Sequence, residues 1–182
     1  MAAEAVTRVV LRCEKAQEDK HLDLSSCLLE AVPQAVYHLM RHTELVSCDL
    51  SDNALTVMSK KLPINFPQVT VMNVSHNKIE KIPEEINLMT VLESFTASHN
   101  KLTALPESFY QLSTLTKLDL SHNDITDMDA AKLCKMPAIR EINLEHNPIP
   151  GDVYSELQEL SRDLGVEVLM SEPDVSQFED VD

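Results

Sequence analysis

Apolar residues recur along the chain in a fixed eleven-residue phrase. From Leu115 to Ile125 the phrase reads LTKLDLSHNDI, with apolar residues at the first, fourth, sixth and eleventh places and an asparagine at the ninth. Apolar residues at the fourth and sixth places, with polar neighbours, predict a short strand that points both apolar side chains inward. Each phrase therefore predicts one buried strand followed by a turn.

The phrase occurs six times in one register. The other copies begin at Asp19, Leu45, Val69, Leu92 and Ile139 and read DKHLDLSSCLL, LVSCDLSDNAL, VTVMNVSHNKI, LESFTASHNKL and IREINLEHNPI. Their ninth places lie 23 to 26 residues apart. A repeat of this period predicts a solenoid in which each repeat, called a rung below, adds one strand to a parallel sheet.

The ninth place is predicted to join neighbouring rungs. An asparagine amide carries two donors and an acceptor, so it can satisfy backbone groups where the chain turns out of the sheet. A buried polar group without partners would cost roughly 1–3 kcal/mol. The predicted structural ladder consists of Cys27, Asn53, Asn77, Asn100, Asn123 and Asn147.

A helix at the N-terminus is predicted to cap the repeats. Within residues 1–19, apolar residues recur at helical spacing, namely Val6, Val9, Val10, Cys13 and Ala16. A solenoid exposes an apolar end at its first rung, so this amphipathic helix is interpreted as an N-terminal capping helix. A helix that binds a partner is the alternative. Residues 20–150 then form six repeats of a single domain.

Residues 151–170 predict a second cap. Asp152 is expected to be the N-cap of a helix that ends at Gly165. Val166, Val168 and Leu169 then predict a short edge strand. The remaining residues, 171–182, are polar and acidic and are expected to form a flexible tail, in which Phe178 is a candidate docking residue.

The segments between strands differ among the rungs. Val32-Pro33, Ile82-Pro83 and Leu105-Pro106 mark where three rungs begin their return path, because proline favours extended backbone before it. The second and fifth rungs lack this mark and are predicted to be more helical.

Charge and cysteine content narrow the class of protein. The net charge is −15, from 30 acidic and 15 basic residues, which argues against binding to nucleic acid or to an anionic membrane. It is compatible with a basic protein partner, and equally with solubility alone. The four cysteines are too widely spaced for a metal motif. We therefore expect reduced thiols and a cytoplasmic protein, with a nuclear location as an alternative.

The outward side chains of the strands define the surface available to a partner. We call this surface the strand face; it comprises the fifth, seventh and eighth places of the phrases. Short polar side chains on strands lose little entropy on binding. The candidate partner-binding residues are Asp49, Asp52, Asn73, His76, Thr96, His99, Asp119 and His122.

Four histidines occupy successive eighth places and form what we call the histidine column: His76, His99, His122 and His146. They would lie about 5 Å apart if the rungs pair like strands. A metal-binding or pH-sensing ladder is one interpretation. The other is that S-H-N is simply a common way to build this turn.

Residues 20–150 carry the pattern L-x-x-L-x-L-x-x-N/C-x-L and resemble the intracellular leucine-rich repeat family. The resemblance implies an α/β fold: a right-handed β/α horseshoe arc with a parallel, concave sheet and helical N- and C-terminal caps. It also implies a surface for protein–protein interaction.

No catalytic, cofactor-binding or metal-binding motif is recognisable in the sequence. The chain has only two glycines, too few for a phosphate-binding loop. We therefore expect a monomeric, non-enzymatic adaptor or scaffold that binds a protein partner on an acidic concave face. The alternative is a regulatory subunit that modulates an enzyme, such as a phosphatase or a component of a small-GTPase pathway.

Overall fold

The computed structural model describes residues 2–172, with side chains described from residue 6 onward. These residues form helices α1 (Ala2–Asp19), α2 (Gln34–Leu39), α3 (Lys61–Asn65), α4 (Ala130–Cys134) and α5 (Gly151–Leu164). The strands are β1 (His21–Asp23), β2 (Ser47–Asp49), β3 (Val71–Asn73), β4 (Ser94–Thr96), β5 (Lys117–Asp119), β6 (Glu141–Asn143) and β7 (Glu167–Leu169).

All seven strands belong to one open parallel sheet in the order of the chain, β1 to β7. Each strand pairs with the next without a shift, so equivalent places of the phrases lie side by side; Leu118, for example, lies between Phe95 and Ile142. The predicted α/β solenoid with one parallel sheet is therefore confirmed.

The core is continuous from rung to rung. Rungs two to six bury the apolar side chains of their first, fourth, sixth and eleventh places, and in rung five these four side chains are fully buried. Ala97 is the small exception at a sixth place. In the same rung Phe95 contacts Phe109 edge to face, with ring centroids 5.7 Å apart. Because no rung encloses a core of its own, each depends on its neighbours for stability.

The return segments between the strands differ in conformation from rung to rung. Rungs two and five return through α3 and α4, so they are more helical than rungs three and four, as the sequence predicted. Rung one also returns through a helix, α2, although it carries the proline mark Val32-Pro33. Rungs three and four are the shortest, and they return through 3-10 helices at Glu84–Leu88 and Glu107–Gln111.

Helix α1 covers the open end of rung one. Val9, Cys13 and Ala16 are buried against the first repeat. Val6 is 65% exposed, so its predicted place in the buried stripe is wrong. Helix α1 is also attached to rung one by hydrogen bonds that the repeat pattern did not predict. The guanidinium of Arg12 lies 2.6 Å from the carbonyl oxygen of Ser25.

Arg12 also donates to the backbone and side-chain oxygens of Asp23, at 3.1 and 3.0 Å. Since hydrogen bonds to a charged group contribute more than neutral ones, Arg12→Met should lower the free energy of unfolding by about 1–2 kcal/mol. Lys15→Met is the matched control, because its ion pair with Asp19 spans 3.5 Å on the exposed side of the same helix. Chemical denaturation measures both. Equal stability of the two variants would contradict the anchoring role of Arg12.

The C-terminal cap differs from the prediction at its beginning. Helix α5 starts at Gly151, with Pro150 at the N-cap and no side-chain hydrogen bond there. Asp152 is therefore not the N-cap. It lies in the first turn, where its carboxylate still interacts favourably with the helix dipole. The predicted end is confirmed, since Gly165 has φ 66°, a left-handed conformation that suits glycine. The edge strand is also present, as β7. The predicted tail lies outside the described residues from position 173 onward.

The cysteines are all free thiols and all buried. Burial raises the pKa of Cys48 to about 12 and, together with the nearby Cys27 and Glu14, that of Cys13 to about 11. Burial limits access to all four thiols, and the high pKa values of Cys13 and Cys48 also disfavour the reactive thiolate, so the cysteines are packing residues.

Candidate functional site

The ninth-place asparagines form hydrogen bonds between adjacent rungs. The amide nitrogen of Asn100 donates to the carbonyl oxygens of Val74, Ala97 and Ser98 at 3.0 to 3.2 Å. Its amide oxygen accepts from the N–H of Ile79 at 2.9 Å. Val74 and Ile79 belong to the preceding rung, so one side chain connects two repeats.

The same arrangement recurs at Asn53, Asn77, Asn123 and Asn147. Cys27 occupies the ninth place of rung one and has no such amide. No rung precedes it, so no bridge is needed there. The N–H of Cys27 instead donates to the side chain of Asn53.

The fifth-place side chains brace the turn that follows each strand. Asp49, Asn73 and Asp119 each accept a hydrogen bond from the N–H two residues later, at 2.8 to 3.0 Å. This is an Asx turn, in which a short side chain substitutes for backbone. One oxygen of each side chain is thereby fixed. The second oxygen of Asp49 accepts from Asn73, at 3.3 Å, so the fifth places also contact one another across strands.

The seventh-place serines are not on the surface, contrary to prediction. Ser51, Ser75, Ser98 and Ser121 are buried, with 6% to 7% of their surface exposed. The strands end at the fifth place, so the alternation of outward and inward side chains does not continue to the seventh. The hydroxyl of Ser121 donates to Asp119 at 2.8 Å. The strand face is therefore made by the fifth and eighth places.

The eighth places share an unusual backbone conformation. Asp52 and the four histidines of the column have φ between 53° and 57°. Only a few per cent of non-glycine residues are left-handed, and Asn, Asp and His are enriched among them. The eighth place requires a residue that tolerates the left-handed conformation. This explains why Asp and His occupy it in a chain that has only two glycines.

The imidazole rings of the histidine column are stacked. Ring centroids of His76 and His99 lie 4.2 Å apart, and the two following pairs lie 4.1 Å apart. The interplanar angles are 11° to 21°, and all four side chains are exposed. Burial, followed by the charges of His122 and His76, lowers the pKa of His99, and Asp119 acts in the opposite direction.

The structure brings the eight candidate residues onto four neighbouring strands and the turns that follow them. Asp49, Asn73, Thr96 and Asp119 lie side by side in register, and the histidines form the adjacent column. The outer edge of this surface carries charges of both signs. Lys117 forms an ion pair with Glu141 at 2.6 Å, and the hydrogen bond that Lys117 donates to Glu141 raises the pKa of the lysine.

Two exposed apolar residues also lie beside the candidate surface. Val46 and Val71 expose 43% and 44% of their surface near the start of β2 and β3. Neither valine was among the residues predicted to form the site. The signal was present, because Val71 occupies a third place, where other rungs carry His, Ser, Lys or Glu.

Metal coordination is a separate question from stacking. Across residues 2–172, no three or more His, Cys, Asp or Glu side chains are arranged so that they could hold a metal ion. Parallel rings that stack direct their nitrogen lone pairs side by side rather than toward one point.

None of the helices in the described part of the chain is long and apolar enough to cross a bilayer.

Comparison with known proteins agrees with the architecture. Residues 98–149 match the family described as leucine rich repeat. The chain is 42% identical over 154 residues to leucine-rich repeat-containing protein 20 of Mus musculus, a match that covers 82% of this chain and 84% of that protein.

Solved structures show the same fold in larger proteins. A leucine-rich repeat protein of Leptospira interrogans superposes with a TM-score of 0.64 at 25% identity, over 76% of this chain and 33% of that one. The leucine-rich repeat domain of APL1B superposes with a TM-score of 0.63 at 18% identity, over 81% of this chain and 41% of that one. The chain thus spans about a third to two fifths of the structures it resembles. With its six registered repeats, its asparagine bridges and these matches, the chain belongs to the leucine-rich repeat family.

Proposed function

We propose that this protein is a non-enzymatic adaptor or scaffold that binds a basic segment of a protein partner on its strand face. Leucine-rich repeat domains generally mediate protein–protein interaction, which supports the broad class. The proposed contact residues are Asp49, Asp52, Asn73, His76, Thr96, His99, Asp119 and His122. The protein would act as a monomer in the cytoplasm or the nucleus, without a cofactor.

The observation that carries this proposal is the fixed alignment of polar side chains across β2 to β5. The Asx turns of Asp49, Asn73 and Asp119 hold one side-chain oxygen each. The second oxygen of Asp119 remains available on the strand face. Side chains already held in place lose little entropy on binding, so they favour specific recognition.

The acidic character of the protein supports a cationic partner. The net charge of −15 attracts basic segments at long range and steers their encounter. Such attraction weakens as salt is added, because ions screen charges beyond about 10 Å at 0.1 M ionic strength.

The alternative proposal is a regulatory subunit of an enzyme in a phosphatase or small-GTPase pathway. The helical return segments α3 and α4 support it weakly, because they resemble those of phosphatase-regulating repeats. Reconstitution with the captured partner distinguishes the two: altered turnover of a partner enzyme supports regulation, and unchanged turnover supports an adaptor.

The test is a set of charge-neutralising substitutions measured against the partner recovered by affinity capture. The triple variant Asp49→Asn, Asp52→Asn and Asp119→Asn removes three charges and preserves the acceptor oxygens of the turns. Affinity should fall by about tenfold or more at low salt, and less at high salt.

The matched control removes three charges from the exposed surface of α5: Glu156→Gln, Glu159→Gln and Asp163→Asn. It should leave affinity unchanged within about twofold. If the strand-face variant binds as tightly as this control, while both stay folded, the partner binds elsewhere and the strand-face proposal is wrong.

A further inference from the structure

The histidine column makes the charge of the strand face depend on pH. Its four imidazoles are exposed and stacked at 4.1 to 4.2 Å. Histidine is the side chain whose ordinary pKa lies in the physiological range. Up to four positive charges can therefore enter a single column on this surface as the pH falls.

Charged groups on the rungs of the column have fixed charges in that range. Carboxylates remain ionised and ammonium groups remain protonated where histidine titrates. At the third, fifth, seventh, eighth and tenth places of rungs two to six these groups are Asp49, Asp52, Lys78, Lys101, Lys117, Asp119, Asp124, Glu141 and Glu145. Between about pH 7.5 and 5.5 only the histidines change the charge of this face.

Stacking couples the titration of adjacent rings. A proton on His99 opposes a second proton on His76 or His122, because the ring centroids are only 4.1 to 4.2 Å apart. The rings of the column are therefore coupled rather than independent groups. The left-handed backbone at each histidine holds this spacing.

We propose that the histidine column gates the strand face by protonation. When the rings are neutral, Asp49, Asp52 and Asp119 attract a cationic protein segment. When the rings are charged, they offset those carboxylates and repel the same segment. Affinity for a cationic segment is thus greatest above the titration range of the column, and it is lost as the pH falls through that range. This inference rests on the function proposed above.

The experiment uses a synthetic peptide of eight lysines as the cationic probe, at constant low ionic strength. Three full-length proteins are compared: the unmodified chain, the column variant His99→Asn/His122→Asn, and the control variant His38→Asn/His42→Asn. Asparagine tolerates the left-handed backbone of the column. His38 and His42 are exposed on the return segment of rung one, outside the strand face.

The affinity of the unmodified chain and of the control should fall by about tenfold between pH 7.5 and 5.5. In the column variant the fall should be about threefold, because only two of the four column histidines remain to take up protons. Thermal melting verifies that both variants are folded.

Two results overturn the proposal, and only the second also refutes the proposed function. Binding with the same pH dependence in all three proteins excludes the gate and leaves a cationic partner standing. Absence of probe binding at pH 7.5 refutes the cationic partner, and the gate with it.

A measurement on the unmodified protein needs no variant. NMR titration of the imidazole protons should show His99 protonating below the ordinary range of histidine, because its surroundings and its stacked neighbours lower its pKa. Column rings that all stay neutral down to pH 5.5 would contradict the gate even if the variants do not fold.

Discussion

Deletion of residues 1–18 is expected to abolish the stable monomer. Helix α1 buries Val9, Cys13 and Ala16 against rung one, and Arg12 holds it there. Its removal would expose the apolar end of the solenoid to water, and terminal caps are what keep repeat arrays soluble. The loss should be about 5 kcal/mol or more, comparable to the whole stability of many domains. Size-exclusion chromatography and thermal melting measure the outcome.

Point substitutions on α1 separate capping from other effects of truncation. Cys13 is fully buried, so Cys13→Asp places a charge beneath the helix and should reproduce much of the loss. Leu11 lies on the same helix but is 58% exposed, and Leu11→Asp should be nearly neutral. A truncated chain that stays monomeric and as stable as the full chain would favour the alternative in which α1 binds a partner.

Asn100→Leu should lower the free energy of unfolding by about 3 kcal/mol, because several buried backbone groups lose their partner at once. Asn100 is 9% exposed, and its amide bonds Val74, Ala97, Ser98 and Ile79. Leucine has a similar size, so loss of volume does not explain the effect. Urea denaturation measures it.

The control for this substitution is Asn87→Leu, on the return segment of rung three. The amide of Asn87 makes one exposed hydrogen bond, to Gln111 at 3.0 Å. Its replacement should change stability by about 0.5 kcal/mol or less. If the two variants unfold at the same urea concentration, the asparagine bridges do not stabilise the repeats as described.

Much of the fold could be predicted because the same physical demand recurs six times. Strands, inward side chains and the ninth-place turn were each visible in several copies. The return segments were predictable only in part: the proline marks and short lengths of rungs three and four go with 3-10 helices, whereas rung one has the same mark and forms α2. Six aligned copies thus show which residue types each place requires, and a single segment does not show this.

Features that occur once were harder to predict. The contact of Arg12 with Ser25 joins a cap to a rung across 13 residues, and no second copy exists for comparison. At α5, Pro150 already has extended backbone with φ −58° and ψ 146°. The helix therefore starts directly after it, and the preference of aspartate for the N-cap is overridden.

The strand face was predicted in its outline but not in its detail. The fifth and eighth places were identified, whereas the burial of the seventh-place serines required knowing that the strands end at the fifth place. The D/N-x-S spacing at Asp49, Asn73 and Asp119 was the available signal, since it is typical of an Asx turn. Stacking of the histidines follows from the left-handed eighth place, which a sequence pattern does not display.

The central claim is that a partner binds on the strand face, and the histidine side chains provide reporters on both sides of the molecule. The most direct measurement is the NMR spectrum of the imidazole protons at constant pH, recorded as the captured partner is added. His76, His99, His122 and His146 should shift or broaden, while His38 and His42 on the return segment of rung one stay unchanged. Shifts confined to His38 and His42, with the column unaffected, would contradict the claim and place the partner on the return segments.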